Sequence, residues 1–277
     1  MLFFRKKKQP VTGISYKTAS LSETGPSREA NEDNILILYP EPGGNALFAM
    51  VADGMGGHNA GEVASRIACD TAADFIRLQY RSKNVLAVLQ KLMIKMNKAI
   101  HQAAKKNTDH AGMGTTAVAL FIREGQLHFA NLGDSRLYCY RNHQLVQLSH
   151  DQTLVNNMVE QGQLTASEAE HHEMKNVLLQ ALGTGEKITP ELSATPYPLL
   201  GGDRFLLCSD GIYDVFTNEE LAAILAIEQP DKVIEHIRTV CFQRRAADNF
   251  SAILIEIVSK DNFITREQPV FYELPSN

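Results

Sequence analysis

Residues 46–54 read Ala46-Leu47-Phe48-Ala49-Met50-Val51-Ala52-Asp53-Gly54. Seven apolar residues without a polar break predict a strand buried on both faces. The acid and glycine that follow mark where it ends. Beyond that point the period changes. Val63, Ala64, Ile67, Ala68, Ala72, Phe75 and Ile76 recur at helical spacing over about 60–80. Asn84 is placed to cap a second helix, whose stripe runs Val85, Leu89, Leu92, Met93, Met96, Ile100 and Ala103. Further strands are predicted at 12–21, 34–38, 115–122, 126–132, 135–140 and 144–148, the last three as an antiparallel meander. Residues 151–176 are polar and helix-like, with Thr165 and Glu168 matching a capping box. Strands resume at 188–196, 203–209 and 250–258, and helices are predicted at 218–227 (capping box Thr217 to Glu220) and 230–244, the latter opened by Pro230. Strand blocks separated by helix pairs indicate an α+β fold with antiparallel sheets, not a doubly wound parallel one.

The chain has 277 residues, 44% hydrophobic and 21% charged, enough to bury a core without disulfides. The composition excludes a disordered or low-complexity chain. A net charge of -5 argues against a general nucleic-acid binder. Four scattered cysteines, Cys69, Cys139, Cys208 and Cys241, form no C-x-x-C pair, which fits a reducing compartment. Residues 1–11 form a basic tip in which Met1-Leu2-Phe3-Phe4 precedes Arg5-Lys6-Lys7-Lys8, the reverse of a secretory signal. No apolar run approaches the ~18 residues needed for a membrane span. A cytoplasmic protein is expected, with one domain over 12–258 and a loose tail over 259–277.

Acids recur at strand ends. Asp53-Gly54 ends the run above, Asp134 follows Phe129–Gly133, Asp210-Gly211 ends Phe205–Ser209, and Asp248-Asn249 precedes Phe250–Val258. Taken singly, each is an ordinary turn. Strands of one core bring their ends together, however, and clustered carboxylates need a counter-charge. With no Cys or His ligands beside them, the cluster suits hard cations, Mg²⁺ or Mn²⁺, better than zinc. Glu32, Asp53, Asp210 and Asp248 would neutralise two such ions. Two ions ~3.5–4 Å apart can acidify a bridging water into a hydroxide nucleophile, suited to in-line attack on a phosphoryl group. Arg28, four residues before Glu32, could clamp the phosphate. His58, after Met55-Gly56-Gly57, could protonate a leaving alkoxide.

Rival chemistries fail on inspection. Six positions beyond each Cys stand Phe75, Leu145, Asp214 and Ala247, never the Arg of a thiol-phosphatase loop. No Gly-Lys dipeptide marks a P-loop, and Asn59 and Ala117 break the two candidate G-x-G-x-x-G runs. His171-His172-Glu173 lacks the second His of a zincin helix.

These residues resemble the metal-dependent protein serine/threonine phosphatases of type 2C (PPM), in particular the bacterial branch. Seven segments match in the family's order over about residues 13–258: Gly25–Asp33, Val51–His58, Gly112–Thr116, Asn131–Arg136, Leu148–Asp151, Ser209–Asp214 and Asp248–Ser251. The resemblance implies a four-layer αββα sandwich, two antiparallel sheets face to face and each covered by a helix pair, with the metal site at one edge. It implies that Asp53 bridges two ions and Gly54 offers its carbonyl. Asp210 and Asp248 would ligate directly, and Glu32 and Asp33 largely through water. Asp134, with Asp210 or Asp214, matches a weaker third-metal position. Arg28 would hold the phosphate and His58 act as general acid, while residues 152–182 would form a flap beside the cleft. The implied partners are phosphorylated proteins, with a serine/threonine kinase and its substrates.

Two alternatives differ in their signatures. A silent phosphoprotein-binding module of the same fold would lack a ligand or the phosphate arginine, and here all are present. A two-metal hydrolase of phosphodiesters would favour a basic, aromatic stripe, which this chain lacks.

Overall fold

In a computed structural model, described for residues 14–41, 44–56 and 60–259, the opening run forms β3 (Leu47–Met55) near the middle of a sheet. Its neighbours are β2 (Asp33–Leu38) and β5 (Ala117–Arg123), and β5 pairs with β6 (Gln126–Leu132). Short pieces complete this sheet: β4 (Gly114–Thr115) on β3, and β9 (Glu191–Leu192) and β10 (Tyr197–Pro198) on β6. The second sheet runs β1 (Ile14–Glu23), β12 (Phe250–Ser259), β11 (Arg204–Cys208), β7 (Arg136–Arg141), β8 (Gln144–Gln147). All pairings between these strands are antiparallel.

Burial of β3 on both faces follows from what covers it. Phe48, Met50 and Ala52 face α1 (Ala60–Gln79) and α2 (Val85–Lys106), where they meet Ala64, Ala68, Leu89, Met93 and Met96. Alanines at four-residue spacing, Ala60, Ala64, Ala68 and Ala72, all fully or nearly fully buried, let α1 lie close on the sheet. Leu47, Ala49 and Val51 point the other way, into the layer between the sheets with Phe205, Leu207, Ile253 and Ile255. Truncating a buried phenylalanine such as Phe48 would cost about 3–5 kcal/mol. The outer face of the second sheet packs Leu206, Cys208 and Leu254 against α5 (Asp210–Tyr213), α6 (Asn218–Leu225) and α7 (Pro230–Gln243). The four-layer α+β architecture is therefore as expected.

The sequence-predicted caps are in place. The Asn84 side chain accepts from the Ala87 N–H, Thr217 and Glu220 form a reciprocal box, and Pro230 opens α7. Residues 151–176 yield two short helices, α3 (Leu154–Glu160) and α4 (Ala166–Glu170), the latter with the Thr165–Glu168 box.

Two expectations need correction. The meander over 126–148 is two hairpins in different sheets: β6 pairs with β5, while β7 pairs with β8 and β11. Both edges of β6 are already taken, by β5 on one side and by β9 and β10 on the other, so β7 must cross over. The crossing is made at Gly133-Asp134-Ser135. The strand predicted at 188–196 is reduced to the pair Glu191–Leu192, with Tyr197–Pro198 following. Pro190, Pro196 and Pro198 carry no N–H and interrupt the ladder.

Candidate metal centre

The strand ends converge at one edge of the sandwich. In the β2–β3 ladder Asp33 stands directly opposite Asp53, a like-charge pairing that is unfavourable across a sheet. Across the interlayer, Asp33 Oδ2 accepts from the Ser209 hydroxyl at 2.7 Å, one residue before Asp210. Ser209 Oγ in turn accepts the Ser251 N–H at 2.9 Å, so both sheets are pinned at this edge.

Asn249 ties in the loop that bears Arg28 and Glu32. Its side chain accepts the Glu32 N–H at 2.9 Å and donates to the carbonyls of Thr24 (2.6 Å) and Ala30 (2.9 Å). Glu32 Oε1 then accepts from the Gly61 N–H in the first turn of α1, at 3.2 Å, and the Glu32 carbonyl accepts from Ser65 and from the Gly54 N–H. Gly54 lies where these backbones approach closely. A Cβ there would stand 2.2 Å from the Gly61 carbonyl oxygen and 2.5 Å from that of Glu32. Only glycine fits between those two backbones.

The electrostatics are those of an acid cluster short of cations. The proton affinity of Asp53 is raised well above the usual carboxylate range by burial and by the charges of Asp33, Asp210, Asp134 and Asp248. Asp210 is raised by burial, then Asp134, Asp248 and Asp33. Burial and the Asp151 charge push Asp134 up to about 7. Glu32 is raised by burial, although the Gly61 N–H and Arg28 counteract it. Arg28, exposed at the rim, holds Asp248 through Nη2–Oδ2 at 2.5 Å. Asp214 pairs with Lys175, from the segment after α4, at 2.8 Å.

The structure thus brings Glu32, Asp53, Gly54, Asp134, Asp210, Asp248 and Arg28 to one edge; His58 lies outside the described residues. Among the described residues no three carboxylate, imidazole or thiol groups already enclose a common point as ligands would. Carboxylates gathered in a buried site repel one another when both are charged. By chemistry the set does fit a hard divalent cation. Its donors are all oxygen, and Asp33 Oδ1 and Asp210 Oδ1 are buried with no hydrogen-bond partner. The unsatisfied oxygens call for a cation that the protein's own side chains do not supply.

Sequence reasoning did not single out Asn249, Ser209, Thr115 or Thr116 as organisers of this edge. The signals were a polar residue placed where an apolar strand begins or ends, and membership of the matched segments Gly112–Thr116, Ser209–Asp214 and Asp248–Ser251, neither of which says what the side chain binds.

The family pattern described as Protein phosphatase 2C matches residues 27–254, a span that runs from before Arg28 to beyond Asp248. The chain belongs to the protein phosphatase 2C family. Within it, this phosphatase stands with the bacterial serine/threonine enzymes, as its sequence motifs indicated. It is 34% identical over 239 residues to the serine/threonine phosphatase stp of Listeria monocytogenes, covering 85% of this chain and 93% of that one. The crystal structure of the Mycobacterium tuberculosis serine/threonine phosphatase PstP/Ppp superposes with a TM-score of 0.80 at 30% identity, over 88% of this chain and 99% of that one. A structure of the PstP catalytic domain in complex with two manganese ions gives a TM-score of 0.78, also at 30% identity, over 89% and 100% of the two chains.

Proposed function

We propose that this protein phosphatase 2C hydrolyses phosphoserine and phosphothreonine monoesters of proteins directly, without a phosphoenzyme, and that it uses Mn²⁺ or Mg²⁺. The observation that carries this reading is the all-oxygen acid cluster, short of internal cations, with an exposed arginine at its rim. Glu32, Asp53, the Gly54 carbonyl, Asp210 and Asp248 would hold two ions, and Asp134 with Asp210 or Asp214 a weaker third. Bound there, such ions supply a solvent hydroxide at neutral pH and charge to stabilise the phosphoryl oxygens.

The chain's own groups do the rest. The Arg28 guanidinium has a planar fork that matches two phosphoryl oxygens. Its partner in the structure is the Asp248 carboxylate, so a phosphate dianion would compete with a carboxylate for the same donors. The bond from phosphorus to the serine or threonine oxygen breaks as the bond to the solvent oxygen forms, and the leaving alkoxide takes a proton assigned to His58. Thiol chemistry is unsupported, because all four cysteines are buried and burial pushes Cys69, Cys208 and Cys241 up to about 12 and Cys139 to about 11.

Residues 12–258 would form the catalytic domain, with 152–182 as a flap, 1–11 as a basic tip and 259–277 as a tail. The partners would be phosphorylated proteins, among them a serine/threonine kinase and its substrates. Among the described residues no helix is long and apolar enough to cross a membrane. The test is phosphate release from a phosphothreonine peptide, which should require Mn²⁺ or Mg²⁺ and stop on chelation. A full rate in excess EDTA would overturn the proposal.

A further inference from the structure

Asp53 and Asp134 reach the acid cluster by separate routes, one at the end of β3 and the other in the crossing between the sheets. Thr116, between β4 and β5, touches both. The Asp53 N–H donates to Thr116 Oγ1 at 3.1 Å, and the Thr116 N–H donates back to the Asp53 carbonyl at 2.8 Å. The same Thr116 oxygen shares a hydrogen bond with Ser135 Oγ at 2.7 Å, one residue beyond Asp134. Thr116 is 2% exposed and Ser135 fully buried, so solvent does not compete for these bonds. The turn is also fitted to the threonine methyl. Gly133 stands at φ 103, and a Cβ there would lie 2.7 Å from Thr116 Cγ2. Next to it, Thr115 donates its hydroxyl to the Asp53 carbonyl at 2.8 Å and exchanges backbone bonds with Leu182. The Asp53 peptide is thus held from two sides, by the segment at Leu182 and by the Asp134 turn.

We infer that Thr116 is a positioning residue whose hydroxyl ties the end of β3 to the crossing turn, fixing the spacing of Asp53 and Asp134 for cation binding. Groups that orient metal ligands in this way typically carry a 10–100-fold effect on metal affinity, so about that loss is expected when the tie is cut. The inference rests on the proposed role of these acids as ligands.

The test compares Mn²⁺ binding by calorimetry in chelator-stripped wild type, Thr116→Val and Thr116→Ser, with cooperative unfolding of each checked first. Valine keeps the shape and removes the hydroxyl. It should weaken Mn²⁺ binding about 10–100-fold, and serine should recover the wild-type affinity. A purely structural threonine would lower the melting temperature and leave the Mn²⁺ affinity of the folded protein unchanged; that result overturns the inference. If Thr116→Val does not fold, Ser135→Ala cuts the tie at its other end and leaves the Asp53–Thr116 exchange intact. Weaker Mn²⁺ binding then supports the tie, and unchanged binding overturns it. A wild type that binds no Mn²⁺ would overturn the metal assignment itself, whereas equal binding by wild type and Thr116→Val removes the tie alone.

Discussion

At the start of β11 Asp203, 2% exposed, lies in the fork of Arg141, with Nε–Oδ1 at 2.7 Å and Nη2–Oδ2 at 2.6 Å. Beside it Arg204 binds Glu256 and donates to the carbonyls of Leu225, Ile227 and Glu228, fastening the end of α6 to the sheet. Past the other end of the same strand, Asp210 faces Asp134, Asp248 and Asp33, and each of these raises its proton affinity. Both ends bury acids, but the first is matched by its own arginines, whereas at the second Arg28 pairs with Asp248 at the rim and Asp33 Oδ1 and Asp210 Oδ1 have no partner. Where the chain provides the counter-charge, the acid is part of the scaffold. Where acids are left short of one, the edge suits a charge taken up from solution, as proposed above.

The contrast can be broken most forcefully at the scaffold end. Arg204→Ala leaves Glu256 only the exposed Lys17, at 3.2 Å, and unpairs the carbonyls of Leu225, Ile227 and Glu228, so unfolding in denaturant should show a loss of about 3–5 kcal/mol. Mn²⁺ affinity should not change; a mild loss of stability would mean that the two ends are not as different as described. At the cluster end the expected signs reverse. Asp53→Asn should cut phosphate release at least ~10²-fold. The metal-free variant should unfold no more easily than wild type, since a neutral amide relieves repulsion. Next comes linkage: Mn²⁺ at a hundredfold excess over its dissociation constant should stabilise the protein by ~2.7 kcal/mol, read from the melting temperature of a chelator-stripped sample. A melting temperature indifferent to Mn²⁺ would count against the site.

The effect of pH is smaller, because the first proton bound by a coupled cluster relieves the repulsion that favours the second. Asp33, Asp53, Asp134 and Asp210 all hold protons more tightly in the folded state than ordinary carboxyls, Asp134 with a pKa of about 7. Their contribution to stability is full below the unfolded carboxyl pKa of about 4 and is lost as pH rises through the folded values. Metal-free protein should therefore melt lower at slightly alkaline than at slightly acidic pH, and Mn²⁺ uptake should release protons into the buffer. A rise in metal-free stability over the same range would contradict the sign.

Much of this was legible in the sequence because it is local. The run Leu47–Ala52, the alanine stripe of α1 and the caps at Asn84, Thr165 and Thr217 declare themselves within a few residues. The four strand-end acids were legible because each ends or precedes its own apolar run. The crossing at Gly133–Ser135 was not, since a short polar turn between strands looks the same whether the next strand returns to its sheet or leaves it. That choice depends on which edges of β6 are occupied, a fact held by residues 191–198 far along the chain. Asn249 and Thr116 were likewise hidden, because their partners lie 217 and 63 residues away. Periodicity records which face is buried, not which distant backbone a buried amide or hydroxyl will meet.

The central claim is that acids from distant strand ends gather to receive divalent cations. Anomalous scattering from crystals equilibrated with Mn²⁺ tests it most directly. The expected result is two strong manganese peaks among Asp53, Asp210, Asp248 and the Glu32 side. Manganese bound only elsewhere on the surface, or no ordered manganese at that edge, would contradict it.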